Sequence, residues 1–132
     1  MTEKLIIPPS LDEIETIMHA AFNTLPDKFR ALTKGIEFRV HDFPDQETII
    51  KKGLQSPFEL MGLYNGAKIN NKHSGTLSGA NKMLLYRRPL LDYWCEIGED
   101  LSHLVRHAII YEIGHHFGLS DEDMEQIEAP IG

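Results

Sequence analysis

Apolar residues recur at helical spacing near the start of the chain, at positions 14, 17, 18, 21, 22 and 25. This spacing places them in one stripe along a helix. Just before the stripe, Ser10 and Glu13 have the spacing of a capping box, in which each side chain accepts a hydrogen bond from the backbone N–H of the other. Pro26 ends or interrupts the pattern. The sequence therefore predicts an amphipathic N-terminal helix, which needs a second layer of structure to cover its apolar face.

Three short strand patterns follow this helix. Residues 36–40 alternate apolar and polar side chains, which indicates a strand with one buried face. Further strands are predicted at residues 60–64 and 82–87, and a short helix-like segment is predicted at residues 45–53. Residues 65–81, rich in Gly, Asn, Ser and Lys, connect the last two strands, and long connections of this kind often have a function. The other interpretation of this segment is a floppy hairpin tip.

The last third of the chain is predicted to be helical. A short helix follows Pro89, a long helix covers residues 98–117, and a final short helix with acidic capping covers residues 120–128. This order of one helix, three strands and further helices is typical of an α+β fold. We find no repeat and no linker, so we expect residues 1–132 to form a single domain.

The composition argues against several classes of partner. Thirteen Lys and Arg residues against twenty Asp and Glu give a net charge of −7, which disfavours nucleic-acid binding by a basic face. No apolar run approaches the roughly 20 residues of a membrane span. A single cysteine, Cys95, excludes an internal disulfide, and the first residues lack the apolar stretch of a signal peptide. We therefore expect a cytoplasmic protein, whose oligomeric state the sequence does not indicate.

The long helix carries titratable residues where apolar ones are expected. On this helix, Tyr111, Glu112 and His115 are predicted to share one arc with a set of apolar residues, namely Leu101, Leu104, Val105 and Ala108. Buried titratable groups are costly unless a metal ion or a hydrogen bond compensates them. This face of the helix is therefore the candidate site.

The spacing within this segment is more specific than its predicted burial. Metalloproteases use His-Glu-x-x-His on a helix, because residues four apart direct two imidazoles at one ion and the Glu reaches the bound water. Here the frame is Tyr111-Glu112-x-x-His115, so a tyrosine stands at the first ligand position. Gly118 and Asp121 follow at the spacing of a glycine turn and a third ligand.

The sequence resembles the small bacterial zincin-like proteins described as minimal matrix-metalloprotease-like domains. The resemblance rests on EIGHHFGLSDED at residues 112–123, supported by GLYNG at residues 62–66 and LYRRP at residues 85–89. It implies a compact α+β zincin fold with an N-terminal helix, a small mixed sheet, a long C-terminal active-site helix and a short last helix. It also implies a catalytic zinc ion and hydrolysis of peptide bonds in a peptide or protein substrate.

By this resemblance, Glu112 is the general base, His115 and Asp121 are metal ligands, and Tyr111 occupies the position of the first ligand. A phenol has a pKa near about 10, so it is a poor zinc ligand at neutral pH unless the metal lowers that pKa. Three hypotheses remain open. Zinc could bind despite the tyrosine, the phenolate could bind a harder ion such as ferric iron, or the site could be empty. In the last case we expect a catalytically inactive zincin-fold protein that binds a peptide or a partner.

Structural interpretations of the same residues also remain open. Glu112 could pair with Arg106 or with the neighbouring phenol, and Asp121 could simply help to start the last helix. His41 or His73 could supply the missing imidazole through the fold. A peptide substrate is expected to lie extended beside an edge strand, and the candidates are residues 60–64 and 84–86.

Overall fold

The computed structural model of the protein describes residues 7–66 and 81–129. Its α-helices and strands are α1 (Leu11–Asn23), α2 (Asp27–Arg30), β1 (Glu37–His41), α3 (Gln46–Lys52), β2 (Gly62–Asn65), β3 (Lys82–Tyr86), α4 (Arg87–Ile97), α5 (Leu101–His116) and α6 (Asp121–Glu128). Two short 3-10 helices cover Ala31–Thr33 and Pro57–Glu59. Most of the connection predicted at residues 65–81 lies outside the described residues.

The N-terminal helix forms as its sequence predicts. The Ser10 hydroxyl accepts a hydrogen bond from the Glu13 N–H, and the Glu13 carboxylate accepts one from the Ser10 N–H, so the capping box is complete. Ile14 and Met18 are fully buried on the apolar face of α1. This face packs against α5 and β1, which supply the second layer that the helix needs.

The three strands form one mixed sheet, in the order β1-β3-β2. β3 lies in the middle, parallel to β1 and antiparallel to β2. The α+β fold with a small mixed sheet is therefore confirmed. Because β3 is flanked on both sides, residues 84–86 are not an edge strand, and the prediction that they guide a substrate is wrong. β2, within the predicted segment 60–64, is at the edge of the sheet formed by the described residues.

One face of the sheet belongs to the core. Phe38, Tyr64, Met83 and Leu85 are buried on this face and cluster with the apolar residues of α1 and α5. Gly62 also lies on this face, where a side chain would meet Leu85 Cδ2 at 3.1 Å and the Leu84 carbonyl oxygen at 3.2 Å. A glycine suits this position because β2 approaches β3 closely, so a Cβ atom would require its neighbours to move by a few tenths of an ångström.

The helix that carries the candidate site is buried differently from our prediction. Its buried residues are Leu101, Leu104, Val105, Ile109, Ile110, Ile113 and Gly114. Tyr111 and Glu112 are only partly buried, and His115 is exposed, so the expectation that all three share the buried face is wrong. α5 packs against α1, α6 and β2 rather than against a single layer, which widens its buried side beyond one stripe.

A tight turn joins α5 to the last helix. Gly118 has a φ of +76°, which glycine adopts without strain, and its N–H donates to the carbonyl of His115. After the turn, α6 packs back on α5, where Met124 contacts the helix at Gly114. A Cβ atom on Gly114 would lie 2.5 Å from the Met124 sulfur, so this glycine permits the close contact between the two helices.

Candidate functional site

Glu112 lies between α5 and the edge strand β2. Its Oε1 atom accepts a hydrogen bond from the backbone N–H of Tyr64, with an N–O distance of 3.3 Å. The sequence suggested Arg106 or the phenol of Tyr111 as the partner of Glu112. Neither residue forms this hydrogen bond. The carboxylate therefore links α5 to β2, the edge strand of the sheet formed by the described residues.

The environment of Glu112 favours its protonated form. Burial raises the pKa of the Glu112 carboxyl, because a charged group loses hydration there. The hydrogen bond from Tyr64 and the charges of Lys52 and His115 act in the opposite direction, but they do not cancel the effect of burial. A raised pKa brings a carboxyl closer to the range in which general acids and bases work.

Tyr111 packs along α5 against the preceding turn. Its ring stacks on the imidazole of His107, with centroids 4.1 Å apart and planes 22° from parallel. Its hydroxyl interacts with the carboxylate of Glu128 at the end of α6. The same carboxylate lies 2.5 Å from Nδ1 of His107. Tyr111 is therefore engaged with His107 and Glu128, on the side of α5 where α6 ends.

Partial burial and acidic neighbours raise the pKa of the Tyr111 phenol. Partial burial raises the pKa of Tyr111, and the charge and hydrogen bonding of Glu128 raise it further. The charges of Glu125 and Asp121 act in the same direction. Because only the phenolate is a good metal ligand, these neighbours oppose metal binding by the phenol.

Arg106 fixes the end of α6 on α5. Its Nη1 and Nη2 atoms donate to the carbonyl oxygens of Glu128 and Ile127, at 3.0 and 3.1 Å. Its Nε atom donates to the hydroxyl of Thr24, just after α1. Arg106 thus holds the backbone of Glu128 in place, and this arrangement presents the Glu128 carboxylate to Tyr111.

His115 and Asp121 lie at the surface. The His115 ring meets the ring of Tyr111 edge to face, with centroids 6.0 Å apart. Asp121 is the first residue of α6 and is exposed, while the capping box of that helix is formed by Ser120 and Asp123. Asp121 is near enough to the Tyr111 phenol for its charge to raise the pKa of that phenol.

These residues do not fit a catalytic zinc ion. Such an ion normally has three protein ligands and a water molecule. Here the three positions hold one imidazole, one carboxylate and a phenol whose pKa is raised. Within residues 7–66 and 81–129, no three His, Cys, Asp or Glu side chains lie close enough together to bind one metal ion.

The sequence left two histidines, His41 and His73, as possible replacements for the missing imidazole ligand. His41 ends β1, which is on the opposite edge of the sheet from β2, so it does not approach Glu112. His73 lies outside the described residues.

The sequence analysis did not place two residues, His107 and Glu128, in the site. His107 lies one turn before Tyr111 in the sequence, so its contact could have been inferred from helical spacing. Glu128 could not, because its approach depends on how the turn at Gly118 folds α6 back.

Comparison with known proteins agrees with this architecture. A family model described as Zincin-like metallopeptidase matches residues 33–130, from just before β1 to the end of α6. No curated protein matched the chain. None of the helices in the part of the chain that the structure describes is long and apolar enough to cross a membrane. Because the family model covers most of the chain, this protein belongs to the zincin-like metallopeptidase family.

Proposed function

We propose that this protein is a non-catalytic member of its family that binds an extended peptide along β2. The family supports a peptide as the ligand. The contacts of Tyr111 support the loss of hydrolysis. By the resemblance, Tyr111 occupies the position of the first metal ligand, and its side chain is engaged with His107 and Glu128.

The geometry of the edge strand carries the proposal. In an antiparallel pair, hydrogen-bonded and non-bonded residue pairs alternate. The N–H of Tyr86 bonds to the carbonyl of Met61, so the backbone groups of Gly62 and Tyr64 point away from β3. Such outward N–H and C=O groups can pair with an added peptide strand. Glu112 already accepts the outward N–H of Tyr64, so this group points toward the side where α5 lies.

A peptide that pairs with β2 would displace Glu112 from Tyr64. A peptide carbonyl would then accept the Tyr64 N–H in place of the carboxylate. The exchange replaces one hydrogen bond of the Tyr64 N–H by another, and its net cost is small when the displaced Glu112 carboxyl is hydrated. Affinity would come from these backbone bonds together with side-chain contacts on either face of the strand.

Nuclear magnetic resonance of the uniformly ¹⁵N-labelled protein tests this function. The probes are short acetylated and amidated peptides of alternating threonine and valine, a composition that favours extended chains. We expect saturable shifts of the amide signals of Gly62 and Tyr64, with smaller changes on α1. Shifts that spare these two amides, or no shifts at all, would contradict the proposal.

Zinc-dependent peptide hydrolysis is the second candidate function. One observation favours it: Glu112, the general base implied by the motif, is partly buried beside the proposed peptide site and has a raised pKa. His115, Asp121 and Tyr111 would then have to serve as the zinc ligands. Zinc retained by the purified wild-type protein, together with peptide cleavage that is lost in the Glu112→Gln variant, would establish this function instead.

A further inference from the structure

A cavity of about 430 Å³ borders the edge strand on the side of α3. Leu63 and Leu84, which lie opposite each other on β2 and β3, contribute its apolar wall. Lys51 and Lys52, at the end of α3, also line it. The cavity therefore combines an apolar wall with two ammonium groups beside the strand that we propose binds peptides.

The two lysines are available to a ligand. Both are exposed, and none of the ion pairs found among the described residues involves either of them. The acidic residues of the same cavity lie at the other end of α3, since Asp45 is its N-cap and Glu47 is in its first turn. The carboxylate of Asp45 already accepts a hydrogen bond from the N–H of Thr48 at 2.8 Å.

The lysine end of the cavity lies within electrostatic range of the candidate site. The charge of Lys52 lowers the pKa of Glu112, so its ammonium group lies within electrostatic range of that carboxylate. Glu112 in turn bonds to the Tyr64 N–H on the outward edge of β2. A peptide paired with β2 would therefore pass close to Lys52.

We propose that Lys51 and Lys52 form a carboxylate-binding subsite that selects peptides with a negative charge next to the segment paired with β2. The charge can come from an acidic side chain or from a free C-terminus, because both present the same carboxylate to an ammonium group. The chain as a whole has a net charge of −7, so most of its surface repels an acidic peptide. The ammonium groups of the lysine pair attract such a peptide at this one place. This subsite rests on the proposed peptide-binding function.

Matched peptides test the subsite in the full-length protein. The threonine-valine peptides described above are synthesised with Glu, Gln or Lys at one interior position, and the Gln peptide is also made with a free C-terminal carboxylate. Their dissociation constants are measured at low ionic strength for the wild type and for the double variant Lys51→Gln/Lys52→Gln. The control is Lys28→Gln/Lys34→Gln, which removes two exposed lysines that do not line this cavity.

We expect the wild type to bind the Glu peptide or the free-carboxylate peptide about twofold to fivefold more tightly than the amidated Gln peptide, as for exposed charge pairs at low salt. This preference should disappear in the Lys51/Lys52 variant and persist in the control. The peptide that shows it identifies the source of the carboxylate. Equal binding of all peptides to the wild type, or a preference that survives in the Lys51/Lys52 variant, would overturn the subsite but not the proposed function. Failure of every peptide to shift the β2 amides would overturn both.

Discussion

The ring of Tyr111 stacks on the imidazole of His107, with their centroids 4.1 Å apart. Both side chains contact the carboxylate of Glu128, which Arg106 holds in place through the last carbonyl groups of α6. The residue that stands where a His-Glu-x-x-His pattern has its first histidine is therefore part of the contact between α5 and α6.

The Glu128→Gln variant tests the electrostatic part of this contact. Replacing the carboxylate by an amide removes a negative charge next to the Tyr111 hydroxyl, so we expect the pKa of Tyr111 to fall towards its ordinary value. The pKa can be followed by the ¹³Cζ signals of labelled tyrosines during a pH titration. Tyr64 serves as an internal control, because burial alone raises its pKa to about 12. A Tyr111 pKa that does not change would show that Glu128 is not its partner.

The Glu112→Gln variant tests the buried carboxyl through the pH dependence of stability. Because burial raises the pKa of Glu112, the folded chain binds this proton more tightly than the unfolded chain. The free energy of unfolding of the wild type therefore falls as the pH rises from the unfolded pKa through the folded pKa. Glutamine does not titrate and can still accept the Tyr64 N–H, so the variant should gain stability relative to the wild type between about pH 4 and about pH 7.

Urea denaturation at both pH values measures this difference. Glu47→Gln, at an exposed glutamate of α3, corrects for the general effect of removing one negative charge. If the variant instead loses stability relative to the wild type as the pH rises, the sign of the assigned pKa shift is wrong.

The Gly114→Ala variant tests the close contact between α5 and α6. An added Cβ atom would lie 2.5 Å from the sulfur and 2.9 Å from Cγ of Met124, which is fully buried. We expect a loss of about 1–3 kcal/mol in the free energy of unfolding, as for other overpacked cores. In the Met124→Ala background, the same substitution should cost much less. An equal cost in both backgrounds would mean that the clash with Met124 is not the reason for the glycine.

Local sequence signals were enough to predict most helices and strands. The arrangement of the site could not be predicted in the same way, because it depends on contacts between residues far apart in the sequence. The capping box at Ser10 and the glycine after α5 predicted where helices begin and end. The pairing of β1 with β3, which leaves β2 at the edge, depends on contacts between distant parts of the chain. The burial of α5 was mispredicted for the same reason, because three neighbouring elements contact it and its exposed side is narrow. The approach of Glu128 to Tyr111 follows from the fold of α6 and has no signal in the local sequence.

The zinc content of the wild type and of the Tyr111→His variant tests the central claim most directly. Each protein is loaded with zinc, dialysed against metal-free buffer and analysed for bound metal, with Tyr111→His/His115→Ala as the control. We predict that the wild type keeps little zinc. The Tyr111→His variant should keep close to one zinc ion per chain, because a catalytic zinc ion needs three protein ligands. The control should lose this zinc ion. A wild-type protein that keeps as much zinc as the variant would contradict the account.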